Sequence, residues 1–166
     1  VCSSDLVQIR AASALGLLAS TDHPKSRIIQ RRLAPSLVKL PDIGCNSPNI
    51  KVRRAACRAL QLVYDSVDVS EGAFTPLRDA IEKNLIRLIY LCGTSESRNV
   101  AISLIHSLSN DPVLAGSIIE KRGVEEIIPS MTSSDKELSG IAATTLAKLT
   151  MDTKRLPKPQ IGRAHV

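Results

Sequence analysis

Two arginines, Arg54 and Arg58, lie one helical turn apart in the segment KVRRAACR. A guanidinium group offers a planar set of donors to a carboxylate or a phosphate. The pair therefore predicts a surface for an acidic or phosphorylated protein segment. The alternative is a solvent-exposed helix face with no ligand, which is the usual role of charge runs on helices.

Cysteine and histidine do not form a recognisable ligand pattern. Cys45, Cys57 and Cys92 are not part of a CxxC motif, and neither His23 nor His106 has cysteine or carboxylate partners at ligand spacing. We therefore expect no metal site and no disulfide framework. Free thiols are typical of a reducing compartment, so we expect a cytoplasmic or nuclear location.

The acidic pair Glu125 and Glu126 is the nearest approach to paired catalytic carboxylates. Adjacent residues on a helix point about 100° apart, so the two carboxylates would not converge on one substrate. The helix dipole stabilises negative charge at a helix start, which explains the pair without catalysis. The sequence also contains no GxSxG motif and no P-loop. We expect no catalytic residues and no cofactor, and hence a protein that is not an enzyme.

Composition restricts the function classes further. The chain has 166 residues, a net charge of +6 and 43% hydrophobic residues, which is typical of a folded domain. It has no apolar stretch long enough for a membrane span, which needs about 18 residues. Nucleic-acid binding is disfavoured because the aromatic residues needed for base stacking are few: Tyr64, Phe74 and Tyr90.

The sequence contains a repeat, and the spacing of its copies is nearly constant. The segments AASALGLL, ACRALQLV, AISLIHSL and AATTLAKL start at residues 11, 56, 101 and 142. Small or apolar residues recur at i, i+4 and i+7, which places them on one face of a helix. We expect these helices to face a shared core, with exposed apolar surface where an end of the array lacks a neighbour. The stripes are Ala11, Leu15 and Leu18; Ala56, Leu60 and Val63; Ala101, Ile105 and Leu108; Ala142, Leu146 and Leu149.

A second similarity links IIQRRLAPSLV, starting at residue 28, to IIEKRGVEEII, starting at residue 118. In the later copy Gly123 predicts a sharp turn between two helices through a positive φ. In the earlier copy Leu33 occupies that place, and Pro35 would open the following helix.

Polar residues mark other helix boundaries. Asp111, and either Ser134 or Asp135, predict helix starts, while the segments 47–49 and 93–97 predict breaks. The segment PDIGCNSPN, residues 41–49, predicts a long mobile loop.

The segment SIIEKRGVEEIIPSMTSSDKELSGIAATTLAKLT resembles an armadillo repeat, whose unit is a short helix, a glycine turn and two longer antiparallel helices. The resemblance implies an all-α fold, a right-handed α-solenoid of about three to four such repeats. It divides residues 7–156 into the last helix of one repeat at 7–22, repeats at 23–66, 67–110 and 111–152, and the start of another.

In this family the third helices line a groove that binds extended peptides. Importin-α and β-catenin use asparagines there, and importin-α adds tryptophans. Here neither residue type occurs at those positions, which argues against a receptor for basic import signals. The asparagine positions are Leu17, Leu62, Ser107 and Lys148, and the tryptophan positions are Ser13, Arg58, Ser103 and Thr144.

The resemblance thus implies a non-catalytic scaffold that binds a protein segment in this groove. The alternative is the substrate-binding region of a larger enzyme, such as a U-box ubiquitin ligase. The predicted groove residues are Arg54, Arg58, Asn99, Ser103, Ser107 and Lys148.

The two ends of the chain look like antisense copies of each other. If VCSSDL is encoded by GTG TGC TCT TCC GAT CT, the reverse complement encodes Ile-Gly-Arg-Ala-His, which is the sequence at 161–165. We hypothesise that residues 1–6 and 161–166 derive from a sequencing adapter.

Amplification of the source transcript outward from residues 7–160 tests this hypothesis. We expect the native message to diverge from both hexapeptides and to continue into further repeats or into a recognisable ligase module. A message that encodes both hexapeptides, with a stop after Val166, would show the adapter explanation to be wrong.

Overall fold

A computed structural model of the chain describes residues 3–22 and 26–153, and this part is all-α, with no strand among the described residues. Two 3₁₀ turns, Gly72–Phe74 and Ile128–Thr132, accompany the α-helices. The α-helices of the described residues are α1 Ser3–Ala19, α2 Ser26–Leu37, α3 Leu40–Asn46, α4 Ile50–Ser66, α5 Thr75–Cys92, α6 Arg98–Leu108, α7 Pro112–Glu120, α8 Gly123–Ile127 and α9 Lys136–Thr153.

The helices that carry the repeated stripe are consecutive neighbours in space. Helix α1 packs on α4, α4 on α6, and α6 on α9. A second set runs beside them, in which α3 contacts α5 and α5 contacts α8. Contacts of α3 with α4 and of α5 with α6 join the two sets around one apolar core.

The predicted stripe is buried in three of its four copies. Its residues in α4, α6 and α9 are all at most 8% exposed. In α1, Leu15 is partly buried against the core, but Ala11 is exposed and Leu18 is 49% exposed. The expectation that the whole stripe faces the shared core is therefore wrong for α1, where exposed apolar surface was also expected. Helix α1 instead buries Ala12, Gly16 and Ala19. Gly16 lies so close to α4 that an added Cβ would be 2.8 Å from the Cα of Ala59.

Asp111 confirms the helix start predicted at that position and fixes α7 to α5. One of its carboxylate oxygens accepts a hydrogen bond from the backbone N–H of Val113 at 2.9 Å, which caps α7. The other oxygen lies 2.7 Å from Nε of Arg78 on α5. The Asp111 side chain is only 2% exposed, so the ion pair and the cap together satisfy a charge that burial would otherwise penalise.

The helix start predicted at Ser134 or Asp135 and the breaks predicted at 47–49 and 93–97 are also confirmed. Asp135, rather than Ser134, caps α9, since its carboxylate accepts from the backbone N–H groups of Glu137 at 3.0 Å and Leu138 at 3.2 Å. The break at 47–49 precedes α4, and the break at 93–97 separates α5 from α6.

The turn predicted around Leu33 and Pro35 is absent, and that prediction is wrong. Helix α2 continues through both residues to Leu37, and the chain turns at Val38 and Lys39 instead. A proline inside a helix removes one hydrogen bond to the residue four positions earlier. Both Pro35 and that residue, Arg31, are exposed, so water can replace the missing partner.

The long mobile loop predicted at 41–49 is also wrong, because most of it forms α3. The proline at its start suits the first turn of a helix. Gly44 lets α3 approach α4, where an added Cβ would lie 3.0 Å from Sγ of Cys57. The Cys57 thiol donates to the carbonyl of Gly44 at 3.5 Å. Burial of Leu40 and Cys45 completes the contact that keeps this segment helical.

A sharp turn does separate α7 from α8, but Gly123 does not adopt the positive φ that was predicted. Arg122 has the left-handed conformation instead, with φ 64° and ψ 30°. Gly123 is required for space, because a Cβ there would lie 2.6 Å from Cγ2 of Ile118 and 2.9 Å from its carbonyl oxygen.

The structure describes part of the first proposed adapter segment and none of the second. Helix α1 begins at Ser3, so residues 3–6 of the proposed adapter segment belong to its first turn, and Asp5 accepts a hydrogen bond from Asn49 at 3.1 Å. Residues 154–166 lie outside the described residues. They include part of the predicted further repeat and the second hexapeptide; His23 also lies outside.

We expect Gly123→Ala to lower the free energy of unfolding by about 1–3 kcal/mol, because the added methyl group must displace the backbone of α7. Gly140→Ala is the matched control. An added Cβ at Gly140 meets nothing within 4 Å, and alanine in an exposed helix interior stabilises by about 0.5–1 kcal/mol. Urea denaturation of both variants measures the difference, and equal effects would refute the steric explanation.

Candidate functional site

A groove between α4, α6 and α9, here called the central groove, contains four of the six predicted site residues. Its volume is about 430 Å³. Arg54 and Arg58 line it from α4, and Asn99 and Ser103 line it from α6. The structure thus brings these four side chains, which are far apart in sequence, to one groove.

The two arginines differ in how their guanidinium groups are used. Nη2 of Arg54 donates to the backbone carbonyl of Glu96 at 3.1 Å, which ties α4 to the loop before α6. Arg58 is exposed and forms no hydrogen bond or ion pair with any described residue. Its donors are thus available to a ligand, because no described side chain satisfies them.

Asn99 forms a polar contact across the central groove. Its Nδ2 donates to Oδ2 of Asp135 at 3.5 Å, which is long for a hydrogen bond. Ser103 is half-buried one turn further along α6. The contact brings the start of α9 close to α6, so the groove has a polar rim on this side.

Ser107 was predicted as a groove residue, but it is buried. It is 1% exposed, and its hydroxyl donates to the carbonyl of Ser103 at 3.4 Å. Helix α9 packs over this end of α6, where Nδ1 of His106 lies 3.1 Å from Oγ1 of Thr145. The prediction is wrong because packing of α6 against its neighbours buries this position, whereas the matching residue of α4, Leu62, is 37% exposed.

Lys148 was likewise predicted to line the groove and does not. Its Nζ donates to the backbone carbonyl of His106 at 3.3 Å, and the side chain is half-buried. The lysine therefore joins α9 to α6 and is already used as a donor within the fold.

A second groove, here called the lateral groove, lies between α1 and α4. Its volume is about 450 Å³, and Arg54 and Arg58 line it as well as the central groove. Its apolar surface includes Leu17, which is 61% exposed, and Leu62, which is 37% exposed. The two arginines therefore form a ridge between a mainly apolar groove and a mainly polar one.

Two carboxylates of the central groove, Glu96 and Glu137, were not predicted. Glu137 forms no ion pair with a described residue, and Glu96 lies 3.9 Å from Arg53. The repeat did contain a signal for them, five residues before the small residue that opens each copy. That position holds Leu6, Lys51, Glu96 and Glu137.

The cysteines do not contribute chemistry to either groove. Cys45, Cys57 and Cys92 are buried free thiols. Burial raises the pKa of Cys45 and of Cys57 to about 12, so neither is a thiolate near neutral pH. No cluster of three histidine, cysteine or carboxylate side chains within residues 3–22 and 26–153 could hold a metal ion.

Comparisons with known proteins support the fold alone. No family model matches the sequence, and no curated protein matches it. Two crystal structures, both of proteins described as engineered, are similar to this chain. One has a TM-score of 0.69 at 21% identity, over 90% of this chain and 58% of the engineered one. The other has a TM-score of 0.71 at 23% identity, over 89% and 59%.

The chain thus spans under two thirds of the length of these engineered proteins. At such low identity the similarity shows a shared all-α fold and supports no statement about function. In the part of the chain that the structure describes, none of the helices has the length and apolar character to cross a membrane.

We expect the contact between α6 and α9 to make the free energy of unfolding depend on pH, through His106. Burial, reinforced by the charge of Lys148, lowers the pKa of His106 below its ordinary 6.5, and Asp65 opposes the shift. The unfolded chain therefore binds this proton more readily, so we expect the free energy of unfolding to fall as pH drops from about 6.5 through the folded pKa. NMR titration of the His106 ring, assigned with His106→Asn, measures this pKa directly.

Lys148→Met serves as the internal comparison for that titration. Removing the positive charge should move the pKa of His106 upward, toward its ordinary value, without removing the effect of burial. A midpoint at or above 6.5 in the unsubstituted protein would contradict the assignment.

Proposed function

We propose that this chain is an armadillo-type, right-handed α-solenoid that acts as a non-catalytic scaffold and binds an acidic or phosphorylated segment of a partner protein in its grooves. The observation that carries the proposal is the ridge of Arg54 and Arg58. It places between two open grooves the guanidinium of Arg58, which is not paired with any described residue.

The order of helices supports the armadillo type. The interval 23–66 contains α2, α3 and α4, and the interval 111–152 contains α7, α8 and most of α9. The interval 67–110 differs, since a 3₁₀ turn replaces the short first helix before α5 and α6. In each interval the last helix contacts the last helix of the neighbouring one, as stacking of repeats requires.

The shape and chemistry of the two grooves support an extended peptide as the ligand. Both are open, and together they cross α1, α4, α6 and α9. A chain lying across them can use the guanidinium of Arg58 without displacing an existing partner. Arg54 can still offer the donors that its bond to Glu96 leaves unused.

The proposal also includes the cellular compartment in which the protein works. Cys45, Cys57 and Cys92 are free thiols although all three are buried in the core. A reducing environment keeps such thiols free, so we place the protein in the cytoplasm or the nucleus.

Selection of peptides of about twelve residues from a random displayed library, with the full chain as bait, tests the binding proposal. We expect the selected peptides to be rich in aspartate and glutamate. Their affinity for Arg54→Glu/Arg58→Glu, measured by fluorescence anisotropy, should fall about tenfold or more, because two attractive charges become repulsive.

The matched control is Arg32→Glu/Lys83→Glu. It makes the same change in net charge at two exposed residues that line neither groove. We expect this variant to bind like the unsubstituted protein. Selected peptides without an acidic bias, or peptides that bind both double variants equally well, would count against the proposal.

A further inference from the structure

The surface charge changes sign along the row of helices. At the repeat position five residues before the opening small residue, α4 carries Lys51, the loop before α6 carries Glu96, and α9 carries Glu137. All three residues line the grooves, Lys51 the lateral one and the two glutamates the central one. Position in the row therefore determines which charge a bound segment would meet.

Three regions with different chemistry follow one another across the row. The lateral groove offers Leu17 and Leu62, both exposed apolar side chains. The ridge of Arg54 and Arg58 comes next, because it borders both grooves. Beyond it, the far side of the central groove carries the carboxylate of Glu137.

The opposite charges of the central groove do not neutralise each other. Arg58 and Glu137 line the same groove, yet neither forms an ion pair with any described residue. Among the described residues, the carboxylate of Glu96 has an ion-pair contact only with Arg53, at a long 3.9 Å, and the side chain is 74% exposed. Both a positive and a negative site are thus left for a ligand to satisfy.

The same arrangement favours a carboxylate over a phosphate at the arginine ridge. A phosphorylated residue carries about −1.5 to −2 charges, so nearby carboxylates repel it more strongly than they repel an aspartate or glutamate. Glu96 and Glu137 lie in the groove that Arg58 lines, and Arg54 already donates to the backbone of Glu96.

We infer that the partner segment carries, in order, an apolar residue, an acidic residue and a basic residue, which meet the leucines, the arginine ridge and the glutamates. This inference rests on the proposed function. Neighbouring helix axes lie about 8–10 Å apart and an extended chain advances about 3.3 Å per residue, so each helix corresponds to about three residues. The acidic and basic residues should therefore be about three to six positions apart.

Two labelled synthetic peptides of equal composition test this order. One places leucine, glutamates and lysines in that sequence at about three-residue intervals, and the other exchanges the glutamates with the lysines. Neither peptide has the other's order when read backwards, so either binding direction is covered. By anisotropy at low salt with the full chain, we expect the first peptide to bind about 3–10-fold more tightly, as two or three exposed ion pairs would give.

Glu96→Lys/Glu137→Lys should abolish or invert that preference. The control Asp79→Lys/Glu120→Lys, with the same charge change at exposed residues that line neither groove, should retain it. A version with phosphoserine in place of glutamate should bind no more tightly, and tighter binding by tenfold or more would overturn the carboxylate assignment.

The outcomes separate this inference from the proposed function. Equal binding of both peptides that is lost in Arg54→Glu/Arg58→Glu would overturn the charge order and leave the scaffold proposal standing. If neither peptide binds, the proposed order of residues is overturned as well. The scaffold proposal itself is overturned by the library selection, if the selected peptides have no acidic bias or do not depend on the two arginines.

Discussion

The close approach of successive long helices through small side chains is the constraint on which the rest of this structure depends. Gly16 meets Ala59 where α1 packs on α4, and a small residue opens the buried stripe in α4, α6 and α9. Larger side chains at these places would separate the helices, because tightly packed interiors have no spare volume. The spacing of the row then sets the width of the two grooves.

That spacing also determines which polar residues line the same groove. Helices that lie side by side present the same turn of each repeat to the same surface, so residues about 45 positions apart line one groove. Arg58 from α4 and Ser103 from α6 line the central groove in this way. A single isolated helix would hold Arg58 in solvent, where a lone exposed charge contributes little to binding.

Several errors of prediction have one cause, which is that the sequence pattern does not show which surfaces are covered. The segment 41–49 has the composition of a loop, but burial of Cys45 against α5 makes part of it helical, with the thiol 3.7 Å from the carbonyl of Asn84. Ser107 has the spacing of a groove residue, but it is buried next to His106, which contacts α9. Lys148 occupies one of the asparagine positions of the family's groove, but its ammonium group donates a hydrogen bond to the backbone of α6. In each case a neighbouring helix decided the outcome.

The sequence by itself determined the all-α class, the period of the repeat, the helix start at Asp111 and the one at Ser134 or Asp135, and the helix faces that bring Arg54, Arg58, Asn99 and Ser103 to one groove. These follow from periodicity and capping, which act within a few residues along one helix. Only the tertiary structure decided that α1 turns a different face to the core, that Arg122 rather than Gly123 takes the positive φ, and that Glu137 faces the arginine ridge. Those features depend on the rotation and contact of whole helices, and no local pattern encodes such distances between separate segments.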